Sequence, residues 1–205
     1  MIDTRLRKHV QFLFNFLASF CARFGVTPNQ LTVIGFLLGI ASAVSILWGA
    51  LFPALILLWI SGLFDVLDGS LARIKGTSSA LGAFIDMIFD RVVEVLFVIF
   101  FALVFPESSL AVMAFLGAVI FNFSTFMLAG NLFQNAGEKS MHYDAGLAER
   151  TETFIVFSLM LLMPDYGVWI LWVFDALILW TGVTRFIKIL YQVRENDKNG
   201  NTKNK

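Results

Sequence analysis

The sequence predicts an all-α integral membrane protein with six transmembrane helices, preceded by an amphipathic juxtamembrane helix, with both termini in the cytoplasm. Three observations favour this fold class. Hydrophobic residues make up 58% of the 205 residues and charged residues 15%, against about 25% charged residues in soluble domains. The mean hydropathy is +0.79. The apolar residues form six long stretches, and the basic residues lie almost entirely between and outside them.

The first predicted element is an amphipathic helix within residues 1–25. It places basic residues such as Arg5 and Arg23 among phenylalanine and leucine side chains, a composition typical of helices that lie in the membrane surface. A polar segment follows, in which Thr27 or Asn29 is suited to cap the next helix.

Six apolar stretches come next, and we interpret each as a transmembrane helix. They lie at about 31–49, 51–68, 82–105, 109–131, 152–164 and 167–190. The fifth is short, so its helix is expected to start nearer Gly146. We predict one membrane domain over residues 1–193, with its six-helix core at 30–190. The polar tail 194–205 is expected to be disordered.

The distribution of basic residues determines the predicted orientation. The connections at 49–53, 106–109 and 164–167 contain no lysine or arginine, and all but Arg91 of the 15 basic residues lie near the termini or in the other two connections. The positive-inside rule assigns those basic segments to the cytoplasm. This predicts a multi-pass protein of the cytoplasmic membrane.

Four aspartates mark the region on which the functional prediction depends. Asp65 and Asp68 are three residues apart, and Asp86 and Asp90 are four apart, so each pair shares one helix face. Both pairs lie near the cytoplasmic ends of predicted spans. Carboxylates at membrane depth are costly and usually functional, which makes simple helix-end charges the weaker interpretation. Oxygen ligands suit hard ions such as Mg²⁺, Mn²⁺ or Ca²⁺.

The residues around the aspartates suit a diphosphate ligand. Gly69 directly follows Asp68 and permits close approach of a ligand. Arg73 offers a planar fork suited to phosphate, and Gly82 leaves space on the face that carries the second pair. Metal ions there would neutralise phosphate oxygens and stabilise a leaving group. A carboxylate not fully occupied by metal could take a proton from an attacking hydroxyl.

The arrangement Asp-x2-Asp-Gly-x2-Ala-Arg-x8-Gly-x3-Asp-x3-Asp resembles the signature of the CDP-alcohol phosphotransferases, also called CDP-alcohol phosphatidyltransferases. All eight positions are filled with the family's spacing, by Asp65, Asp68, Gly69, Ala72, Arg73, Gly82, Asp86 and Asp90. The resemblance implies a transferase of phospholipid biosynthesis. Such an enzyme moves a substituted phosphate group from a CDP-linked lipid to the hydroxyl of a polar alcohol and releases CMP.

The resemblance also implies residue roles. Two Mg²⁺ or Mn²⁺ ions per site would be bound by Asp65, Asp68, Asp86 and Asp90, and Asp90 would also be the general base. The residues implied to bind the CDP-lipid are Asn29, Thr32, Asp65, Gly69, Ala72, Arg73, Ser79 and Gly82. The active site would face the cytoplasm from the lipid bilayer. A homodimer is implied, and no nucleic acid partner is expected.

The acceptor is less constrained than the donor. The run GLAERTE at 146–152 and the motif region resemble the prokaryotic phosphatidylinositol phosphate and archaetidylinositol phosphate synthases, in which basic residues bind the acceptor's phosphate. Arg150 and Arg185 match two of these. Thr153 stands where a further arginine is expected, and the apolar run 126–132 replaces other basic residues. Inositol phosphate is therefore the first candidate, with glycerol phosphate, serine, inositol or another polyol as alternatives.

A cation transporter is the alternative from a different class. It would place acidic residues near the bilayer midplane, often within an inverted repeat; the sequence shows no such repeat, and Arg73 would have no role. Three polar residues keep two interpretations each. His142 is a loop residue or a metal ligand, Asp175 lines the cavity or bonds between helices, and Glu94 pairs with an arginine or contacts the acceptor.

Overall fold

The computed structural model describes the backbone of residues 2–135 and 150–202 and the side chains of residues 12, 14–130 and 151–194. The described residues form helices and no strand. The α-helices are α1 (Ile2–Arg23), α2 (Pro28–Leu47), α3 (Leu51–Lys75), α4 (Ala80–Val104), α5 (Ser109–Asn135), α6 (Arg150–Leu162) and α7 (Gly167–Thr202). Short 3-10 turns at Pro106–Ser108 and Pro164–Tyr166 precede α5 and α7.

Four helices, α2, α3, α5 and α7, are long and apolar enough to cross a membrane. Helix α4 has 25 residues but carries the charged residues Asp86, Asp90, Arg91 and Glu94. The described part of α6 has 13 residues, and the predicted start of this helix near Gly146 lies outside the described residues. The all-helical membrane fold is therefore confirmed, whereas the six spans and their orientation stay predictions.

The ends of the helices near the aspartates are defined by local capping. Thr27, rather than Asn29, caps α2: its hydroxyl accepts from the backbone N–H of Gln30, and the Gln30 side chain accepts from the backbone N–H of Thr27. Helix α3 ends at Gly76, whose φ of +64° is a left-handed conformation that favours glycine. Ser79 then caps α4. The connection between the two aspartate-bearing helices is thus short and ordered.

Glycines let α2 lie close to both α3 and α4. A Cβ atom on Gly39 would lie 2.7 Å from Val93 Cγ2, and one on Gly35 would lie 3.2 Å from Phe64 Cβ. Ser61 of α3 also donates a hydrogen bond of 2.7 Å to the Gly35 carbonyl. A side chain at either glycine would meet these atoms, so the two glycines allow α2 to pack closely against the two helices that carry the aspartates.

The main hydrophobic core lies beyond the aspartates along α4. Phe97 and Phe101 are fully buried there, together with Phe115 of α5 and Phe157 of α6. The rings of Phe97 and Phe157 stack with their centroids 4.1 Å apart. Burial of large aromatic side chains supplies much of the packing energy of a helical fold. This core holds α4, α5 and α6 together on the side away from the Ser79 turn.

The first helix, α1, is amphipathic as predicted, whereas the last helix, α7, is longer than predicted. Helix α1 buries Ala18 against Leu67 and Leu71 of α3, and exposes Phe12 and Phe16, as an amphipathic helix does. Helix α7 continues to Thr202, so the backbone is helical in most of the tail for which the sequence predicts disorder. An established helix extends readily, because each added residue gains a backbone hydrogen bond.

Candidate active site

The fold brings the two aspartate pairs to one cavity. Asp65 and Asp68 lie in the last three turns of α3, and Asp86 and Asp90 lie in the first three turns of α4. The turn between Gly76 and Ser79 reverses the chain, so that these faces meet. All four aspartates line the same cavity, whose wall is formed by α2, α3, α4 and α6. The sequence-predicted gathering of four carboxylates is therefore seen in the structure.

Three of the carboxylates are close enough to bind one cation. One oxygen from each of Asp65, Asp68 and Asp86 lies within 4.8 Å of the other two. Asp68 is buried, and the other two are half-buried. Carboxylates at this separation repel one another unless a cation or protons lie between them. An all-oxygen set of this kind fits Mg²⁺ or Mn²⁺, so the residues present fit the predicted metal.

Asp68 has a hydrogen-bond partner on α2. The Thr32 hydroxyl lies 2.5 Å from Asp68 Oδ2. It also lies 3.1 Å from the carbonyl oxygen of Pro28, which is one turn earlier in α2. Thr32 also lines the cavity. From the family resemblance, Thr32 is predicted only to bind the CDP-lipid. Its contact with a predicted metal ligand could not be read from the sequence, because it depends on how closely α2 packs against α3.

Three predicted nucleotide residues, Asn29, Ser79 and Gly82, come together at the start of α4. A Cβ atom on Gly82 would lie 3.2 Å from Ser79 Oγ and 3.6 Å from Asn29 Oδ1. The Ser79 hydroxyl accepts a hydrogen bond of 3.1 Å from the Gly82 backbone N–H. These three residues surround the first turn of α4, where backbone N–H groups attract anions such as phosphate.

The predicted nucleotide residues Gly69 and Arg73 form a second group near the end of α3. A Cβ atom on Gly69 would lie 3.6 Å from Arg73 Nη1, and Arg73 Nη2 donates to the Ser70 hydroxyl at 3.0 Å. Arg73 is exposed, and Ala72 beside it is half-buried. The guanidinium therefore lies over a glycine surface at the end of α3, next to the turn that carries Asp68.

Glu94 lies one turn deeper than Asp90 and lines the same cavity. Its two oxygens pair with the guanidinium of Arg91 at 2.7 and 2.6 Å. This confirms the ion-pair interpretation of Glu94. Because the pair is bidentate, it holds the Arg91 guanidinium in a defined geometry. The Glu94 carboxylate also neutralises the positive charge of Arg91 beside the aspartates.

The two predicted acceptor residues differ in what the structure shows. The side chain of Arg150 lies outside the described side chains, as does the whole of His142. Arg185 of α7 donates through Nη1 to Asn122 Oδ1 at 2.8 Å and to the Asn122 carbonyl at 3.1 Å, and its guanidinium lies 5.4 Å from the centre of the Phe126 ring. Among the described residues, Arg185 is not part of the cavity wall that the aspartates share.

Aromatic residues complete the cavity wall and were not predicted as site residues. Phe36 and Phe89 stack with their centroids 4.0 Å apart, and Phe154 and Phe157 of α6 lie on the other side. The sequence contains 23 phenylalanines, so no local signal distinguishes these four.

Asp175 meets neither of its interpretations among the described residues: it is absent from this wall, and both of its carboxylate oxygens are buried without a hydrogen-bond partner.

The fold and the site together define a helical membrane protein with an acidic cluster that fits a metal ion, near glycines on α3 and α4. The chain belongs to the CDP-alcohol phosphatidyltransferase family, which matches residues 25–183. It is therefore a membrane transferase of phospholipid biosynthesis that binds metal. The resemblance drawn from the eight-residue motif is confirmed, and the cation-transporter interpretation has no support.

Relatives of known sequence place the chain within this family. It is 33% identical to the inner membrane protein YnjF of Escherichia coli over 193 residues, covering 90% of this chain and 93% of that protein. It is 39% identical over 115 residues to the bifunctional IPC transferase and DIPP synthase of Thermococcus kodakarensis, covering 54% of this chain but only 26% of that protein. The phosphatidylinositol phosphate synthase of Mycobacteroides abscessus is 30% identical over 149 residues, covering 69% of this chain and 64% of that enzyme.

Solved structures share the fold. The phosphatidylinositol phosphate synthase of Mycobacterium tuberculosis with CDP-DAG bound has a TM-score of 0.64 at 23% identity, covering 86% of this chain and 92% of that one. The same enzyme in complex with manganese and citrate has a TM-score of 0.69 at 22% identity, covering 86% and 88%.

Proposed function

We propose that the protein transfers a phosphatidyl-type group from a CDP-linked lipid to the hydroxyl of a polar alcohol, with release of CMP. The observation that carries this proposal is the meeting of Asp65, Asp68 and Asp86 within 4.8 Å in a cavity that Asp90 also lines. The family match over residues 25–183 supports it. So does the solved relative, which binds CDP-DAG and manganese.

The donor would be held by both groups of predicted nucleotide residues. Asn29, Ser79 and Gly82 would receive part of the cytidine diphosphate at the first turn of α4, where the helix dipole favours negative charge. On the other side, Arg73 would donate to phosphate oxygens, and Gly69 would allow their close approach. The apolar tails of the lipid would lie against the exposed faces of the helices, so that only the head of the donor enters the cavity.

The aspartates would supply the metal-dependent part of the chemistry. Asp65, Asp68 and Asp86 would hold Mg²⁺ or Mn²⁺ with Asp90, and we propose two ions per site. Metal ions bound there would neutralise the diphosphate oxygens and stabilise the departing CMP.

Asp90 would act as the general base. Its carboxylate would take the proton of the acceptor hydroxyl while the hydroxyl oxygen attacks the phosphorus bonded to the lipid and the bond from that phosphorus to CMP breaks. Glu94 is committed to Arg91 by a bidentate pair, which leaves Asp90 as the better placed base. The aromatic wall from α2, α4 and α6 would limit the access of water, which otherwise competes with the alcohol.

We propose a phosphorylated inositol as the acceptor, bound by Arg150 and Arg185. The names of the mycobacterial relatives support this choice. Glycerol phosphate and serine are the alternatives within the same family.

We further propose six spans, both termini and the active site on the cytoplasmic side of the cytoplasmic membrane, and a homodimer. The orientation rests on the absence of basic residues from the connections at 49–53, 106–109 and 164–167.

The test is CMP release by the purified full-length protein with Mg²⁺ or Mn²⁺. CDP-diacylglycerol and CDP-archaeol serve as donors, and inositol 1-phosphate, glycerol 3-phosphate, inositol and serine are supplied one at a time. We expect CMP release with inositol 1-phosphate only. Release with another single acceptor would replace the acceptor and keep the reaction. No release with any acceptor, together with no metal-dependent thermal protection by CDP, would overturn the proposed function.

A further inference from the structure

One contact at the aspartates has no assigned role, namely the hydrogen bond between Thr32 and Asp68. It joins residues 36 positions apart on α2 and α3, and its length is 2.5 Å. Distances of 2.5–2.7 Å are typical of a hydroxyl that donates to a charged carboxylate, and such bonds are about twice as strong as neutral ones. Asp68 is 7% exposed, so water competes little for this carboxylate.

The hydroxyl has one proton and two acceptors within reach. The Pro28 carbonyl is 0.6 Å further from Thr32 Oγ1 than Asp68 Oδ2 is, and it carries no net charge. Asp68 is therefore the favoured acceptor. A carboxylate has about four lone-pair positions, so accepting one hydroxyl orients the group and leaves oxygen lone pairs that can bind a cation.

The position of Thr32 is set by the backbone rather than by its own rotamer alone. Thr27 caps the first turn of α2, and Gly35 brings the next turn against Phe64 of α3. Thr32 lies between these two fixed points. Its hydroxyl is therefore presented to Asp68 by a rigid part of the fold, as expected of a group that orients a metal ligand.

We propose that Thr32 is a positioning residue whose hydroxyl holds the Asp68 carboxylate in the orientation in which it binds the divalent ion. The inference rests on the proposed function only for the presence of a divalent ion at the aspartates. It differs from the nucleotide contact that the family resemblance implies for Thr32. Loss of a hydrogen-bond partner behind a metal ligand typically weakens metal affinity by about 10–100-fold, so the effect is measurable.

The test measures metal binding and nucleotide binding separately in full-length protein. Thr32→Val removes the hydroxyl and keeps the side-chain shape, whereas Thr32→Ser retains the hydroxyl. Thr181→Val is the matched control, because the buried Thr181 hydroxyl donates to the Leu177 carbonyl of its own helix. Mn²⁺ affinity is measured without nucleotide from the electron paramagnetic resonance signal of free Mn²⁺. CDP affinity is measured at saturating Mn²⁺, and thermal stability is measured in EDTA.

We expect Thr32→Val to raise the Mn²⁺ dissociation constant by about 10-fold or more. Thr32→Ser and Thr181→Val should stay close to wild type. CDP affinity at saturating Mn²⁺ should be nearly unchanged in all variants. These readouts require no turnover, so absence of CMP release would overturn the proposed reaction without affecting this result.

Several outcomes would overturn the inference. Unchanged Mn²⁺ affinity with weaker CDP binding in Thr32→Val would make Thr32 a nucleotide contact. Unchanged affinity for both would leave the hydroxyl without a role at the site. A fall in thermal stability in EDTA, with equal loss of Mn²⁺ affinity in Thr32→Val and Thr32→Ser, would indicate a packing role instead. Failure of the wild-type protein to bind Mn²⁺ would remove the basis of the inference.

Discussion

Arg185 on α7 is held by Asn122 on α5 through two hydrogen bonds from a single nitrogen, Nη1. The acceptors are Asn122 Oδ1 at 2.8 Å and the Asn122 carbonyl at 3.1 Å. The Phe126 ring, one turn along α5, lies under the same guanidinium. An arginine inside a membrane fold is costly unless its donors are satisfied. Asn122 therefore sets the direction in which the rest of the guanidinium points.

This relationship predicts that Asn122 matters if Arg185 binds the acceptor. Asn122→Leu should raise the KM for the acceptor by about 10-fold, since charge-assisted hydrogen bonds are worth roughly 1.5–3 kcal/mol. The KM for the CDP-lipid should stay unchanged. The steady-state kinetics of Asn122→Leu and Arg185→Lys, with each substrate varied, check this. Equal effects on both substrates would assign Arg185 to the structure of the α5–α7 contact.

Asp90→Asn tests the general base. The amide cannot take a proton, so we expect kcat to fall by about 10²–10⁴-fold. Glu94→Gln is the matched control from the next turn of α4 on the same cavity. Because Glu94 is paired with Arg91, its change should reduce kcat less than the change at Asp90. Full turnover by Asp90→Asn, measured as CMP release, would exclude Asp90 as the base.

Gly82→Val tests the narrow opening between α2 and α4. Even the Cβ atom would lie 3.2 Å from Ser79 Oγ and 3.6 Å from Asn29 Oδ1, so the branched side chain should fill the space proposed for the nucleotide. We expect CDP affinity to fall by about 10-fold or more, because the loss of about 1.4 kcal/mol of binding free energy corresponds to a tenfold change in the dissociation constant. The measurement is CDP binding at saturating Mn²⁺.

Gly117→Val is the control for this change. It is also a helical glycine, but a Cβ atom there would meet no atom of the described part of the chain within 4 Å. CDP affinity should therefore be unchanged in Gly117→Val. Equal CDP binding by Gly82→Val and the wild-type protein would mean that the nucleotide does not use this opening.

Asp175→Val is expected to stabilise the protein. Asp175 is 2% exposed, and both of its carboxylate oxygens are buried with no hydrogen-bond partner among the residues that the structure describes. A buried polar group in this state costs about 1–3 kcal/mol, which an apolar side chain of similar size recovers. Thermal unfolding of the purified protein gives the measurement. The exposed Asp165 supplies the control, since Asp165→Val should change stability by less than about 0.5 kcal/mol. Loss of CMP release without loss of stability would instead give Asp175 a functional role.

The aspartate site was largely predictable from the sequence, whereas the acceptor side was not. The spacing of Asp65, Asp68, Asp86 and Asp90 puts each pair on one helix face, and the fold brings both pairs to one cavity. The Thr32–Asp68 bond and the Arg185–Asn122 pair link distant positions. They depend on which helices pack together, and no periodic pattern in one chain reports that.

Helix ends and the environment of single polar residues were harder to predict than helices. The polar residues at 194–202 suggested disorder, yet the backbone continues α7 to Thr202. The composition of the tail alone does not show that a long helix precedes it and can extend into it. Asp175 was expected to line the cavity or to bond between helices. Its lack of a partner is a property of the packed core and is invisible in the sequence.

The geometry of the site depends on Gly39, a residue without a side chain. Thr32, Gly35 and Gly39 lie on one face of α2, and Gly39 is about 10 Å along the helix from Thr32. Val93 already occupies the space of a Cβ atom at Gly39. A methyl group added there would act as a wedge that tilts α2 and withdraws the Thr32 hydroxyl from Asp68. Mutational tolerance in this protein should therefore be low at a small apolar residue that touches neither metal nor substrate.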